Sequence, residues 1–267
     1  MFNEIANIIK ITRPRHVFKS FTSIRHTISA FKYHYRSVSE RDFVYFFAEQ
    51  AGFSDREIDS AYRDLKHNNA LWDNIKERLT IYQKGYGSQM TRELPLLYLL
   101  VRLLKPSRII ETGVASGASS AYILQALIDN QKGEMHSIDL PPENLPRGRE
   151  SGWIVPEILR ERWHIYIGDS KRILKDLLDQ TGIIDIFLHD SLHTYEHMTW
   201  EFNTAWEYLR KGGFFLSHDV GANEAFFDFM REHHIPWKSY RVFHVLGGFK
   251  KPRNNTSRPE IDTPLKN

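Results

Sequence analysis

The feature that most constrains the fold of this chain is a regular alternation of short apolar runs with amphipathic stretches over residues 108–233. Apolar runs of this kind predict buried strands, whereas apolar residues at every third or fourth position predict helices. The alternation is typical of βαβ units, in which helices on both faces cover a mostly parallel, doubly wound sheet. The predicted strands are 108–112, 134–139, 163–167, 184–189 and 213–217, and the predicted helices are 118–130, 154–161, 170–179, 195–209 and 223–233.

The chain on either side of this alternation has a different character. Residues 237–250 contain Gly247-Gly248 between apolar stretches and predict one or two final strands, which we expect to be antiparallel. Near the N-terminus, Ser54 precedes Glu57 by three positions, a spacing typical of a capping box. The first 85 residues are therefore predicted to form an all-helical extension, with helices near 40–51, 55–67 and 70–83, and a further helix near 90–104 leads into the first strand.

Composition narrows the class of protein. The 267 residues include no cysteine, which excludes disulfides, thiolate metal sites and cysteine nucleophiles. The apolar run at 94–101 is far shorter than the roughly 20 residues of a membrane span, and no segment has the features of a secretory signal. We therefore expect a cytoplasmic protein with an α/β domain over residues 86–251 and a loose polar tail over 252–267.

Basic charge is concentrated in residues 1–36. Seven Lys or Arg residues lie there with one acid, Glu4, so the rest of the chain has a net charge of −3 although the whole carries +3. A body that is not basic argues against a dedicated nucleic-acid binder. Apolar residues at helical spacing from Phe18 to Phe31 favour a helix that packs on the body or on a second subunit of a homo-oligomer. The alternative is a peripheral helix on a membrane surface.

A loop of small residues follows the first predicted strand, with the sequence Glu-Thr-Gly-Val-Ala-Ser-Gly-Ala-Ser-Ser over 111–120. Gly113 and Gly117 let the backbone approach a ligand, and the following helix offers free N–H groups at its N-terminus. The loop is neither a dinucleotide fingerprint nor a Walker A loop. Glu111 at the strand end disfavours a pyrophosphate and favours a cationic ligand. A tight turn without a ligand is the alternative.

Acidic residues also follow the next two predicted strands. Asp139 ends the second strand, where an Asp can bind two ribose hydroxyls. Asp169 follows the third strand and either accepts a hydrogen bond from an adenine amino group or caps the helix that begins at Ser170. With Glu111, these residues form one edge of a crevice at the carboxyl ends of the strands, where open α/β sheets bind ligands.

Together these motifs resemble those of the class I S-adenosylmethionine-dependent methyltransferases, in their bacterial small-molecule and sugar O-methyltransferase-like branch. The resemblance covers roughly residues 85–250. Besides the glycine loop, the matching motifs are Ser-Ile-Asp-Leu (137–140), Gly-Trp-Ile-Val-Pro (152–156), Gly-Asp-Ser (168–170), His-Asp-Ser-Leu-His-Thr-Tyr-Glu-His (189–197) and Gly-Gly-Phe-Phe-Leu-Ser-His-Asp-Val (212–220).

The resemblance implies a Rossmann-like sheet of seven strands, one of them antiparallel, and S-adenosylmethionine as the cofactor. It implies that Asp139 holds the ribose and that Asp169 and Ser170 lie beside the adenine. The residues implied around the methionine part are Glu111, Gly113, Gly117 and Ser119.

Candidate residues for the acceptor chemistry follow the fourth and fifth strands. Methyl transfer to a hydroxyl requires loss of its proton, to a general base or with the help of a divalent metal. The candidate catalytic residues are Asp190, His193 and His218, with Asp190 or His193 as the base in a metal-free reaction. Asp190 and Asp219 are the candidate metal ligands. Carboxylates suit Mg²⁺, but His218 stands where several relatives have an acid, and its imidazole suits Mn²⁺ or Fe²⁺.

We therefore predict a methyltransferase that acts on the oxygen of a small-molecule or carbohydrate-like acceptor. One alternative is a metal-dependent oxygenase or hydrolase on the same fold, for which the Asp and His residues matter more than a sulfonium site. Another is a non-catalytic cofactor-binding scaffold with the basic N-terminal segment as its interaction surface.

Overall fold

A computed structural model describes residues 37–80, 94–140, 148–241 and 245–253. The helices are α1 (Glu40–Ala51), α2 (Asp55–His67), α3 (Asn69–Thr80), α4 (Leu94–Leu104), α5 (Ala118–Asp129), α6 (Ser170–Thr181), α7 (Tyr195–Tyr208) and α8 (Ala225–Glu232). The strands are β1 (Ser37–Val38), β2 (Arg108–Thr112), β3 (Glu134–Asp139), β4 (Trp163–Ile167), β5 (Ile184–His189), β6 (Leu209–Ser217), β7 (Lys238–Arg241) and β8 (Val245–Lys250).

The strands form one sheet in the order β1-β7-β8-β6-β5-β2-β3-β4. β2 to β6 are parallel to their neighbours among themselves, whereas β8 is antiparallel to both β6 and β7. The predicted α/β Rossmann-like sheet is therefore confirmed, with its single antiparallel strand. The two-residue β1 adds an eighth strand, beside β7, to the seven that are predicted. The described N-terminal region is therefore helical apart from this strand, and the prediction that it is all-helical is wrong in this detail.

The main difference from the predicted elements lies between β3 and β4. Residues 154–161 were predicted as a helix, but the structure has turns followed by a short 3₁₀-helix, Glu157–Arg162. The reason is local, because Pro156, inside this range, has an extended backbone with a φ of −57° and a ψ of 144° and caps the 3₁₀-helix, so a continuous α-helix cannot run through it. Of the other predictions, the basic helix within residues 1–36 and nearly all of the tail lie outside the described residues.

The two faces of the sheet bury separate apolar layers. Ile109, Ile186 and Phe214 face α1 to α5, whereas the adjacent Ile110 and Phe187 face α6 to α8. This alternation follows from the two-residue period of strand side chains. The N-terminal helices share the first layer with the sheet. The Phe47 ring of α1, for example, lies 5.6 Å from that of Phe214.

The predicted start of α2 is confirmed in detail. The Ser54 backbone N–H donates to Glu57 Oε2 at 2.8 Å, which completes the capping box. In the same region, the Tyr98 hydroxyl donates to Asp129 at 2.6 Å and ties α4 to α5. Within the described ranges, we find no helix with the length and apolar character needed to cross a membrane.

Candidate active site

The carboxyl ends of β2 to β6 meet at one edge of the sheet, because these strands are parallel. Every site residue predicted from the sequence lies at or just beyond one of these strand ends. The register places Thr112 of β2 beside both Ile138 of β3 and His189 of β5. The glycine loop after β2 therefore begins in the middle of the crevice, between the ends of β3 and β5.

The two glycines of this loop are required by close contacts with the protein's own backbone. Gly113 has a φ of 88°, and a Cβ there would lie 2.0 Å from the carbonyl oxygen of Asp190. Gly117 has a φ of 90°, and a Cβ there would lie 2.7 Å from the Cα of Gly152. A side chain at either position would collide with the neighbouring segment, so the loop lies against the β5–α7 connection at Gly113 and against the β3–β4 connection at Gly117.

Glu111 is a fully buried carboxyl at the end of β2. It accepts hydrogen bonds from the hydroxyls of Ser119 at 2.8 Å, Ser120 at 2.7 Å and Ser137 at 2.8 Å. Burial raises the pKa of Glu111 to about 7, although these hydrogen bonds act in the opposite direction. Glu111 and Ser119, both predicted around the cofactor, are thus hydrogen-bonded to each other beneath the loop.

The next two acidic residues have different surroundings. The half-buried Asp139 carboxylate accepts from the backbone N–H groups of Val114 at 3.2 Å and Ala115 at 3.1 Å, so it holds the glycine loop at the end of β3. Asp169 is the N-cap of α6 and accepts from the backbone N–H of Lys171 at 2.9 Å, which confirms the capping alternative for this residue.

Ser170 differs from the expectation that its side chain lies beside a cofactor. Its side chain is buried, and its hydroxyl donates to Glu201 Oε1 at 2.6 Å. The hydroxyl is therefore engaged inside the protein, at the first position of α6.

Three of the predicted residues for the acceptor chemistry form one cluster. His218 Nδ1 lies 3.0 Å from Asp190 Oδ1, and His193 Nε2 lies 3.7 Å from the same oxygen. One donor atom from each of the three lies within 4.8 Å of the others, a spacing compatible with a metal ion. Asp219 lies at the rim of this cluster, with its Oδ2 3.8 Å from His218 Nδ1.

His193 is kept neutral by its surroundings. Burial lowers its pKa to about 4, although the carboxylates of Asp219 and Asp190 act in the opposite direction. Its Nε2 has no hydrogen-bond partner among the residues that the structure describes. At neutral pH, His193 is therefore an uncharged imidazole.

Glu201, which no sequence motif indicates, is the centre of a buried polar network beneath the crevice. Glu201 of α7 is fully buried, as is His189, whose Nδ1 lies 2.6 Å from Glu201 Oε2. Burial acts to raise the pKa of Glu201, but hydrogen bonds with His189 and His197 outweigh it, and the net pKa is lowered. The other partners are the hydroxyls of Thr112 at 2.6 Å, Ser170 at 2.6 Å and Ser191 at 2.9 Å, and the Nε2 of His197 at 2.8 Å.

Comparison with protein families identifies the part of the chain that forms this site. Residues 110–220 match the family model described as a methyltransferase domain. This range runs from β2 to the residue after Asp219 and includes every candidate site residue. Over this range the chain therefore contains a methyltransferase domain. No curated protein sequence matches the chain.

Solved structures share the fold at low sequence identity. The SAH-bound methyltransferase PaMTH1 of Podospora anserina superposes with a TM-score of 0.52 at 15% identity, over 75% of this chain and 97% of that chain. The SAM-bound O-methyltransferase TomG of Streptomyces achromogenes, involved in tomaymycin synthesis, gives 0.51 at 16% identity, over 82% and 98%. An SAH-bound O-methyltransferase of Bacillus cereus gives 0.50 at 11% identity, over 77% and 96%. These similarities show the fold and are consistent with the matched domain.

Proposed function

We propose that this protein is an S-adenosylmethionine-dependent O-methyltransferase whose acceptor is a hydroxyl of a small molecule or carbohydrate-like compound. The observation that carries the proposal is the contact between Gly113 and Asp190, in which the glycine loop meets the Asp190–His193–His218 cluster. A cofactor on the loop and an acceptor at the cluster would therefore lie side by side. SAM or SAH bound to proteins of the same fold supports this arrangement.

The residues of the crevice fit this cofactor. S-adenosylmethionine supplies, when bound, a methyl group on a positively charged sulfur. The carboxylates of Asp139 and Asp190 lie on the two sides of the loop and would attract such a cation, and the buried carboxyl of Glu111 lies beneath it. Asp139 is half-buried at the end of β3, where its oxygens can bind a pair of ribose hydroxyls. We also assign Asp169 to the adenine end of the site, because only its Oδ1 accepts from the Lys171 N–H and its Oδ2 could accept from the adenine amino group.

We propose that His193 removes the proton of the acceptor hydroxyl. It is neutral, and its Nε2 has no hydrogen-bond partner in the described ranges. Asp190, 3.7 Å away, would stabilise the imidazolium that forms, and His218 at 3.0 Å would hold Asp190 in place. A correctly placed general base of this kind contributes roughly 10²–10⁴-fold to the rate.

A divalent cation in the same cluster is a second candidate, because the donor set fits one. Asp190, His193 and His218 offer one carboxylate and two imidazoles within 4.8 Å, and Asp219 adds a carboxylate at the rim. This mixture suits Mn²⁺ or Fe²⁺ better than Mg²⁺. A cation held there would lower the pKa of the acceptor hydroxyl.

The remaining parts of the chain extend this proposal. We propose an N-terminal extension over residues 1–85, the methyltransferase domain over 86–251 and a tail over 252–267. The boundary near residue 85 falls outside the described residues. We propose that the extension shapes the acceptor pocket or a homo-oligomer interface of a cytoplasmic enzyme. The basic segment 1–36 would then contact a second subunit or a membrane surface.

Turnover with a panel of hydroxyl acceptors tests the proposal. The purified chain is incubated with S-adenosylmethionine and phenols, catechols or simple sugars, and SAH release is measured with and without EDTA. We expect SAH release to depend on the acceptor. If His193 acts alone as the base, EDTA should change the rate of this release by less than about threefold. A loss of tenfold or more that Mn²⁺ restores would favour the metal instead. If SAH release with each acceptor equals the release without any acceptor, methyl transfer to these hydroxyls is contradicted.

A further inference from the structure

A second cluster of histidine and carboxylate side chains lies at the other end of the sheet, away from the crevice. It consists of Glu134 and His136 on β3 and His164 on β4. Glu134 begins β3 and Asp139 ends it, so at about 3.3 Å per residue the cluster lies about 16 Å from the crevice. Neither the methyltransferase domain nor the proposed reaction accounts for it.

Sheet geometry brings the three side chains together. Glu134 and His136 are two residues apart on β3 and therefore point to the same face. His164 of β4 is the direct cross-strand partner of His136. Glu134 Oε1 lies 3.4 Å from His136 Nε2, and Glu134 Oε2 lies 3.7 Å from His164 Nε2. The two imidazole rings stack with centroids 4.7 Å apart.

His136 contributes a buried nitrogen that is directed into the cluster. Its side chain is 9% exposed, and its Nε2 contacts Glu134 Oε1 at 3.4 Å without the alignment of a hydrogen bond. A buried polar atom without a hydrogen bond costs free energy unless it binds something. Its other nitrogen, Nδ1, lies 3.2 Å from the Tyr166 hydroxyl, and a polar contact at the second ring nitrogen is what orients metal-bound histidines.

We propose that Glu134, His136 and His164 bind a zinc ion that links strand β4 to strand β3. Zinc binds imidazole nitrogen and carboxylate oxygen at about 2.0–2.2 Å, which separates tetrahedral ligand atoms by roughly 3.3 Å. The separations of 3.4 Å to Glu134 Oε1 and 3.7 Å to Glu134 Oε2 are close to this value, and one ligand atom from each of the three residues lies within 4.8 Å of the others. The two ligands that must adjust are at the surface, with His164 half exposed and Glu134 43% exposed. Water would complete the coordination.

The surroundings restrict which cation fits and how tightly it binds. Arg108 lies 3.8 Å from Glu134 Oε1 and would have to share or release this carboxylate. An open cavity of about 330 Å³ beside the cluster is lined by Glu134, His164, Glu161 and Arg162, which gives an ion access from solvent. Mg²⁺ and Ca²⁺ are disfavoured because they take oxygen ligands, whereas two imidazoles and one carboxylate suit zinc.

Zinc calorimetry and the visible spectrum of bound Co²⁺ test this site on the full chain. We expect His164→Gln and Glu134→Gln each to weaken Zn²⁺ binding by tenfold or more and to remove the tetrahedral Co²⁺ absorption. Both residues are partly exposed, so these variants should fold, which circular dichroism can check. The matched control His67→Gln, an exposed histidine of α2, should bind zinc as the wild type does.

The Asp190→Asn variant distinguishes zinc binding at this site from binding at the cluster in the crevice. We expect Asp190→Asn to retain the zinc affinity that His164→Gln loses. The proposal is overturned if the wild type binds no zinc, if either His164→Gln or Glu134→Gln binds it like the wild type, or if Asp190→Asn abolishes it. None of these outcomes depends on methyl transfer, so the zinc site and the proposed function are tested independently.

Discussion

Replacing Glu201 by glutamine should lower the free energy of unfolding by about 3–5 kcal/mol, the usual cost of removing one partner from a buried ion-paired network. Glu201 is fully buried and accepts from three hydroxyls, while His189 and His197 contact its two oxygens. Glutamine keeps the shape but presents an N–H₂ group at a position where the carboxylate accepts hydrogen bonds. Urea unfolding of the wild type and variant measures the difference.

A matched control variant and the pH dependence of stability test this prediction further. Glu207→Gln, an exposed position on the same helix, should change stability by no more than about 0.5 kcal/mol. The pKa of Glu201 is lowered by folding, so its contribution is complete above the unfolded value of about 4.3 and is lost as pH falls towards the folded value. The Glu201→Gln variant should therefore lose less stability than the wild type below pH 4.3. Equal stability of wild type and Glu201→Gln at pH 7 would contradict the role assigned to this network.

Replacing His193 by glutamine should lower kcat by about 10²–10⁴-fold and leave SAH binding unchanged, because His193 is proposed as the base and not as part of the cofactor site. The pKa of His193 is lowered to about 4, and only the neutral imidazole accepts a proton. In the wild type, kcat should therefore rise with pH through about 4 and stay flat from pH 6 to 8. Steady-state kinetics with an acceptor found in the turnover screen measures both effects.

His67→Gln provides the comparison for this prediction, since His67 is an exposed histidine at the end of α2. Its kcat should equal that of the wild type. A His193→Gln variant with kcat within threefold of the wild type would exclude His193 as the base. An acid limb centred near 6.5, the ordinary histidine pKa, would show that another group controls the proton.

The strand ends could be predicted because each leaves a clear local signal. An apolar run that stops at Glu111 or Asp139 marks both a buried strand and the polar residue just beyond it. All five central strands and the crevice they form follow from this signal, whereas the sequence leaves open whether Asp169 caps α6 or contacts a ligand. By contrast, the two-residue β1 is too short to leave any pattern of its own.

The buried network could not be predicted because its members are distant in the sequence. Glu201 lies between Trp200 and Phe202 on a helix whose aromatic residues indicate a packed core, and nothing local shows that Thr112 and His189 converge on it. The same limit explains Ser170, whose position beside Asp169 suggested a ligand contact while its hydroxyl is bound to Glu201. Only the spacing of four between His197 and Glu201 on α7 hinted at a side-chain pair.

The central claim is that the loop between β2 and α5, held by Asp139, forms an S-adenosylmethionine site, and calorimetric titration with SAH tests it most directly. We expect micromolar binding to the wild type, weakened about 10–100-fold in Asp139→Asn because a charged acceptor of two hydrogen bonds is lost. Asp55→Asn, an exposed carboxylate on α2, should bind like the wild type. Binding that is absent from the wild type, or unchanged in Asp139→Asn, would contradict the site as described.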